Sequence, residues 1–308
     1  MPREALIAVG AGFVSALLSL TPVAFAAPLP LLLAGLSVGF RPAVISLAAG
    51  LLAKVYLDGF DATLHYGLVQ ALPSIMIVYL ALTQKPQTAT SQAIADWRPL
   101  GDIAATLTVF GGCLLALTAM MTMDTGLSHE VSAAINGFFD QVGPNFPDQL
   151  RRQYHDKLFA VFPGLITAIL MIIVIVNAAM AHRVLVRIDK NLRPRPAYAA
   201  LNLPQWLAWP LVIAAAMTLI GSGEWEYAWR NMALVFALPY FLLGLAVVHS
   251  LTRKVTFTGP LLVAFYLVIV VSLWAALVVA GIGVVEQWFG LRDRTGTSLQ
   301  PTGDDEDN

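Results

Sequence analysis

Charged residues are scarce in this sequence. Only 12% of its 308 residues are charged, against about 25% in an ordinary soluble domain, while 58% are hydrophobic. A compact fold of this size would then have a mostly apolar outside, which water does not solvate. The composition therefore excludes a soluble globular protein and predicts a surface that faces lipid, in agreement with the mean hydropathy of +0.73.

Cysteine and excess positive charge are also missing. Cys113 is the single cysteine, which excludes a disulfide framework and every multi-cysteine metal or redox site. The net charge is −1, from 18 Lys and Arg against 19 Asp and Glu. This balance excludes a nucleic-acid binder driven by bulk positive charge.

The common catalytic motifs are lacking as well. The chain has no phosphate-loop Gly-x-x-x-x-Gly-Lys-Ser/Thr, no Gly-x-Ser-x-Gly, no His-Glu-x-x-His and no Cys-x-x-Cys. We therefore expect no catalytic residues, no cofactor and no metal site, and an enzyme is the last of the functional hypotheses. Uphill transport by this chain would draw its energy from an ion gradient or from a partner.

What the sequence does contain is long apolar runs. A helix that crosses the hydrocarbon core of a membrane needs about 20 mostly apolar residues. Nine runs approach this length, at residues 5–21, 23–40, 42–58, 63–83, 99–122, 157–183, 205–221, 228–250 and 259–286. Since they show no two-residue alternation, they predict an all-α, polytopic transmembrane helical bundle as one domain over 1–291. Prolines 22, 28 and 30 interrupt the second run, so eight crossings are the alternative.

The distribution of basic residues predicts the orientation. With the N-terminus in the cytoplasm, eleven Lys and Arg fall in inward loops and six in outward loops. This bias favours a bacterial inner membrane with the N-terminus inside and the acidic tail, 292–308, outside and disordered. The run that ends in Ala24-Phe25-Ala26 also resembles a cleaved signal peptide, although Glu4 and the span that follows favour an uncleaved helix.

Two loops have a composition of their own. The outward segment 123–156 repeats apolar residues at helical spacing, which predicts two amphipathic helices that act as an interfacial packing element or as a lid. The inward loop 183–204 is basic and proline-rich, which suits contact with anionic lipid or a cytoplasmic partner, although the positive-inside bias alone explains it. His182 and His249, at inward span ends, are interpreted as interfacial residues.

Charged residues within or beside a span are the candidates for binding a substrate or ion. Lys54, Asp58, Asp61 and His65 are spaced by four, three and four, so a continuous helix would align them in one stripe. A carboxylate beside an imidazole could exchange a proton in a coupled carrier. Alternatively, Asp58-Gly59 forms a turn, Asp61 and His65 lie in a loop, and Lys54 extends towards the headgroups.

Asn177 is the polar outlier of the sixth run. Its amide must find a partner inside the bundle, either on another helix or on a ligand.

Small residues spaced by four predict close helix packing. Ala8, Gly12 and Ala16 repeat along the first span, and Gly35 with Gly39 repeats on the second. Each flat face predicts a packed helix, which could belong to this chain, to a second copy or to another membrane protein.

The segment Pro28-Leu-Pro-Leu-Leu-Leu-Ala-Gly-Leu-Ser-Val-Gly-Phe-Arg-Pro42 resembles the YybS-like family of uncharacterised bacterial membrane proteins. That resemblance implies a multi-pass architecture and no particular reaction. A more distant similarity is to the substrate-binding subunits of energy-coupling-factor transporters. It implies that Ala8, Gly12 and Ala16 could dock on a membrane partner.

Two functional hypotheses follow. The first is an inner-membrane protein that binds or transports a small solute, as a transporter subunit or as a gradient-driven carrier. The second is a scaffold that assembles other membrane proteins without transport.

Overall fold

The computed structural model describes residues 2–84, 97–142, 147–194, 201–252, 257–290 and 292. Over these ranges the fold is all-helical, which confirms the predicted class. The α-helices are α1 (Pro2–Leu18), α2 (Pro28–Val38), α3 (Phe40–Tyr66), α4 (Leu72–Leu82), α5 (Leu100–Met121), α6 (Leu127–Val142), α7 (Asp148–Phe159), α8 (Phe162–Arg187), α9 (Ala208–Ile220), α10 (Gly223–Thr252), α11 (Thr258–Val271) and α12 (Leu273–Phe289).

Several of these helices suit a membrane. Among the described residues, four helical segments are long and apolar enough to cross it: Phe40–Leu82, α5, α8 and α10. The bent pair of α11 and α12 raises the number to five if it forms one span. By contrast, α2 has 11 residues and α9 has 13, or roughly 16 to 20 Å of helix against a core of about 30 Å. The larger count of eight or nine spans therefore stays a prediction.

The long segment Phe40–Leu82 folds back on itself at Gly59. Gly59 has φ of 84° and ψ of −178°, outside the helical region. As a result, a Cβ atom on Gly50 would lie 2.9 Å from the hydroxyl of Tyr66, whereas 16 residues of straight helix span about 24 Å. The chain reverses between these residues, so the segment Phe40–Leu82 has two limbs, one outgoing and one returning. The return limb begins in α3 and continues through a π-helical turn at Gly67–Ala71 into α4.

The small residues of the first span pack against this hairpin. Ala8 and Ala16 are fully buried. A Cβ atom on Gly12 would clash with the Ser46 carbonyl and lie 2.8 Å from the backbone nitrogen of Gly50. The flat face of α1 therefore contacts α3 of the same chain, and glycine is required where the two backbones meet.

The two glycines of the second span have different surroundings. Gly35 faces Val78 of α4, because a Cβ there would lie 2.5 Å from a Val78 methyl and 3.0 Å from the Ala43 Cβ. A Cβ atom on Gly39 would have no neighbour within 4 Å, and the φ of this residue is 121°. Gly39 therefore lies at the turn between α2 and α3, and the packing role predicted for it stays a prediction.

A single apolar cluster joins the centre of the bundle. It is built from α2, α4, α5, α8 and α10, with Leu32, Val78, Leu107, Met171 and Leu238 buried in it. Each is at most 4% exposed, so these helices share one continuous core.

The segment between α5 and α8 forms the helices α6 and α7. Val131, Ile135 and Phe139 bury one face of α6 against Leu115 and Tyr227, while Phe138 points outwards. The proline-containing stretch 143–146 lies outside the described residues. Whether α6 and α7 act as an interfacial element or as a lid stays a prediction.

The C-terminal end differs from the predicted topology. The run 259–286 forms α11 and α12, which are bent by 114° relative to each other, and not one straight span. Arg292 donates to the carbonyl of Leu201, at 2.8 Å, and to the side chain of Asn202, at 3.1 Å. These contacts bring Arg292 beside the loop 183–204, whereas the predicted topology puts the two on opposite sides of the membrane. Residues 293–308, predicted to be a disordered tail, lie outside the described residues.

Candidate functional site

The four charged candidates on α3 do not form one stripe, because the helix reverses at Gly59. Lys54 is buried on the outgoing limb and forms an ion pair with Asp58, with Nζ and Oδ2 2.7 Å apart. Asp61 and His65 are helical and exposed on the return limb. Lys54 therefore has a counter-ion one turn away, and the aligned relay predicted on a continuous helix is not assembled.

Asn177 joins α8 to the break between α1 and α2. Its Nδ2 donates to the carbonyls of Phe25 and Ile173, each at 2.8 Å. Phe25 lies in a short 3-10 turn, where the backbone is not continued as an α-helix. The amide thus supplies a hydrogen bond to a carbonyl at this break, as expected of a polar residue that links helices in an apolar bundle.

A cavity of about 390 Å³ lies between α2, α4, α5, α8, α10 and α11. It is at the end of the bundle where α4, α8 and α10 finish and α5 begins. Its walls are mainly aliphatic, with Leu36, Ile77, Leu107, Ile175 and Leu242 among them. None of the residues predicted to bind substrate or ion lines it.

Arg193 supplies positive charge to this cavity. It follows the end of α8 and is only 8% exposed. Its Nη2 donates to the carbonyl of Arg98 at 2.8 Å, and its Nη1 is 3.4 Å from the carbonyl of Ala81. These contacts hold the guanidinium at the cavity wall, between the end of α4 and the start of α5.

His249 and Tyr266 supply polar atoms on another wall. The Nδ1 of His249 is 2.8 Å from the carbonyl of Leu245, and its Nε2 is 3.4 Å from the Tyr266 hydroxyl. Because a carbonyl can only accept, Nδ1 is the donor in the first contact, and Nε2 forms the second contact with the tyrosine hydroxyl. The contact links α10 to α11.

His182 completes the polar part of the lining. It is a buried residue near the C-terminal end of α8. The polar lining therefore comes from different segments, with Arg193, His182 and His249 as its members. None of the described residues that line the cavity is acidic. The site combines aliphatic walls with the side chains of one arginine and two histidines.

This arrangement was missed in the sequence, where His182 and His249 are interpreted as interfacial residues and Arg193 as part of the positive-inside bias. The available signal was that His182 and His249 fall at predicted inward span ends and Arg193 in the predicted inward loop, so a bundle would bring them to one level. Hydropathy does not show which of these ends are neighbours.

A second cavity, of about 470 Å³, lies at the opposite end of α5, beside the start of α6 and α10. Met120, Met232, Trp225 and Trp229 line it together with Glu224. The Glu224 carboxylate accepts from the Ser128 backbone N–H at 3.0 Å and contacts the Ser128 hydroxyl. Glu224 thus caps the N-terminus of α6, which explains its position without a ligand.

Two further buried polar residues have structural contacts. Asn231 accepts from the Gly164 N–H at 2.9 Å and donates to the Tyr227 carbonyl at 2.9 Å, which fixes the start of α8. Glu286 forms an ion pair with Arg292, with 2.5 Å between carboxylate and guanidinium. Asn231 lies in a predicted span and Glu286 at the end of one, and neither was singled out from the sequence.

Several apolar helices around a cavity at one end of the bundle define a polytopic α-helical membrane protein. More particularly, the chain belongs to the family described as "Predicted membrane protein (DUF2232)", whose model matches residues 6–286. No curated protein and no solved structure matches the chain.

Proposed function

We propose that this protein binds a small solute in the cavity beside Arg193. It would act as the solute-binding membrane subunit of a transporter or as a gradient-driven carrier. The observation that carries this proposal is the cavity itself. Its volume is within the roughly 300 to 1,000 Å³ of small-molecule sites, and it pairs aliphatic walls with a few polar groups, as such sites do.

Interrupted helices near the cavity support a transport role. The chain breaks at Gly39 between α2 and α3 and bends by 114° between α11 and α12, and Pro239 lies inside α10. In many transporters, broken helices surround the substrate site and provide the places where segments move.

We also propose the bacterial inner membrane as the location, with the N-terminus in the cytoplasm. The inward loops hold the larger share of Lys and Arg, and Arg193 belongs to the most basic of them. In this orientation the cavity lies towards the cytoplasmic end of the bundle.

The helix packing gives little support to the alternative hypothesis of a scaffold protein. Gly12 contacts α3, Gly35 contacts α4, and Ala8 and Ala16 are fully buried, so these faces are covered by the chain's own helices. The resemblance to YybS-like proteins and the similarity to energy-coupling-factor subunits stay predictions. A membrane partner would have to bind elsewhere than on the α1 face.

Native mass spectrometry of the protein, released from a mild detergent, tests the proposal. The wild type should carry a small molecule, and Ala178→Phe, which fills the cavity, should lose it. Ala216→Phe makes the same change at an exposed position of α9 away from the cavity and should retain the bound mass. An equal bound mass in all three proteins would contradict the proposal.

A further inference from the structure

We propose that the second cavity, beside the end of α5 and the starts of α6 and α10, binds an organic cation with an alkylated ammonium head, of the choline type. Its volume of about 470 Å³ is within the range of small-molecule sites. The inference goes beyond the proposed function, which concerns the cavity at the other end of the bundle.

The walls of this cavity suit a cation that is partly apolar. Trp225 and Trp229 line it together with the thioether side chains of Met120, Met123 and Met232. The face of an indole ring carries negative partial charge and attracts alkylated ammonium groups, and methionine adds a polarisable, adaptable surface. A primary ammonium is more strongly hydrated, so it would lose more on entering such a space.

The carboxylate of Glu224 supplies a negative charge at the cavity wall. It accepts from the backbone N–H of Ser128 at 3.0 Å and contacts the Ser128 hydroxyl, which caps α6. The N-terminus of a helix carries only about half a positive charge, so the cap leaves part of the carboxylate charge for a ligand.

No basic side chain of the described residues forms an ion pair with Glu224. Arg230, further along α10, is paired instead with Glu226, with nitrogen and oxygen 3.1 Å apart. The turn before α6 adds Asp124 and contains no Lys or Arg. The charge at this end of the bundle therefore favours a cation over an anion.

Trp229 indicates an oxygen atom in the ligand. Its Nε1 is buried and has no hydrogen-bond partner in the part of the chain that the structure describes. An indole nitrogen can only donate, and a buried donor without an acceptor is costly. A hydroxyl or ester oxygen close to the ammonium head, as in choline, would provide the acceptor.

Equilibrium dialysis of the full chain in dodecyl maltoside tests this class of ligand, with protein-free micelles as the blank. The probes are choline, its uncharged carbon isostere dimethylbutanol, and ethanolamine, which has an ammonium without methyl groups. Choline should bind about 10- to 100-fold more tightly than either, because it alone combines the charge with an alkylated head.

Two results would overturn the inference. One is the absence of choline binding above the blank, and the other is binding of dimethylbutanol or ethanolamine as tight as that of choline. Neither result bears on the proposed function, which is tested at the other cavity with Ala178→Phe.

Glu224→Gln gives a second readout, because glutamine keeps an acceptor for the cap of α6 and removes the charge. It should weaken choline about 5-fold and leave dimethylbutanol unchanged. The matched control is Glu226→Gln, which makes the same change two residues away at a position that does not line the cavity. Equal weakening of choline by both variants would assign the attraction to general surface charge and overturn the site.

Trp225→Leu tests the aromatic wall without changing the cap of α6. Leucine keeps the wall apolar and removes the indole face, so choline should weaken about 2- to 5-fold while dimethylbutanol is spared. Trp209→Leu, at an exposed position of α9 outside the cavity, should bind choline as the wild type does. Unchanged choline binding by Trp225→Leu would contradict the aromatic contact.

The ammonium head could come from a free solute or from a lipid headgroup. Adding phosphatidylcholine to the micelles distinguishes these sources. Displacement of choline by this lipid indicates a headgroup site, and retention of choline indicates a site for a free cation.

Discussion

At the scale of single residues, three buried polar side chains are tied to backbone groups or to an opposite charge. Asn177 donates to Phe25 and Ile173, Asn231 accepts from Gly164, and Lys54 pairs with Asp58. In an apolar environment these partners offset the loss of water. Such residues therefore reveal where helices meet, and only those that line a cavity are candidates for binding.

Asn177→Leu tests this interpretation for the break between α1 and α2. The change removes two hydrogen bonds and leaves the Phe25 carbonyl without this donor, so we expect a loss of about 1 to 3 kcal/mol in the free energy of unfolding. Thermal unfolding in detergent measures it. Thr118→Val, which removes a hydroxyl bond at an exposed site on α5, should stay within about 0.5 kcal/mol. Equal stability of the Asn177 variant and the wild type would contradict the linking role.

The Lys54–Asp58 pair gives a second prediction at this scale. Asp58→Asn leaves the buried Lys54 ammonium without its counter-ion, and because Asp58 is partly exposed we expect a moderate loss of about 1 to 3 kcal/mol. The double variant Lys54→Met with Asp58→Asn should recover most of this loss, since it removes the buried charge. Chemical denaturation of the three proteins measures the difference, and no recovery in the double variant would count against the pair.

At the scale of elements, glycines decide how the first helices pack. Gly12 allows the backbones of α1 and α3 to meet, and Gly59 allows α3 to reverse. The Asp58-Gly59 turn was available in the sequence, as one of two alternatives. The turn at Gly39 could not be predicted, because spacing by four does not distinguish a packed glycine from one that ends a helix.

A matched pair on α1 tests the close approach. Gly12→Ala places a Cβ against the Ser46 carbonyl and should destabilise by about 1 to 3 kcal/mol. Gly10→Ala, two residues away, has open space and should gain roughly 0.5 to 1 kcal/mol from helix propensity. Opposite signs in thermal unfolding support the packing, and equal effects would contradict it.

At the scale of the whole molecule, helical class and the presence of several spans followed from composition, because lipid requires backbone groups to bond within helices. The cavity did not follow. It combines side chains from six helices and from the chain after α8, and hydropathy shows the length of a segment without its neighbours. Hydropathy likewise could not predict the contact of Arg292 with Leu201, because the two residues are 91 positions apart in sequence.

Cross-linking tests the position of the C-terminal end. In a Cys113→Ser background, Asn202→Cys with Arg292→Cys should react with a short bis-maleimide, because the two native side chains are 3.1 Å apart. The control pair is Arg151→Cys with Arg292→Cys. It keeps the cysteine at position 292 and places the other cysteine on α7. A cross-link in this second pair but not in the first would restore the topology predicted from the sequence.

The central claim is that the cavity beside Arg193 holds a solute. An experimental density map of the protein, purified from native membranes in mild detergent, tests it most directly. We predict non-protein density in the cavity between α2, α4, α5, α8 and α10. A cavity of unchanged shape without such density, or one closed by side chains, would contradict the claim.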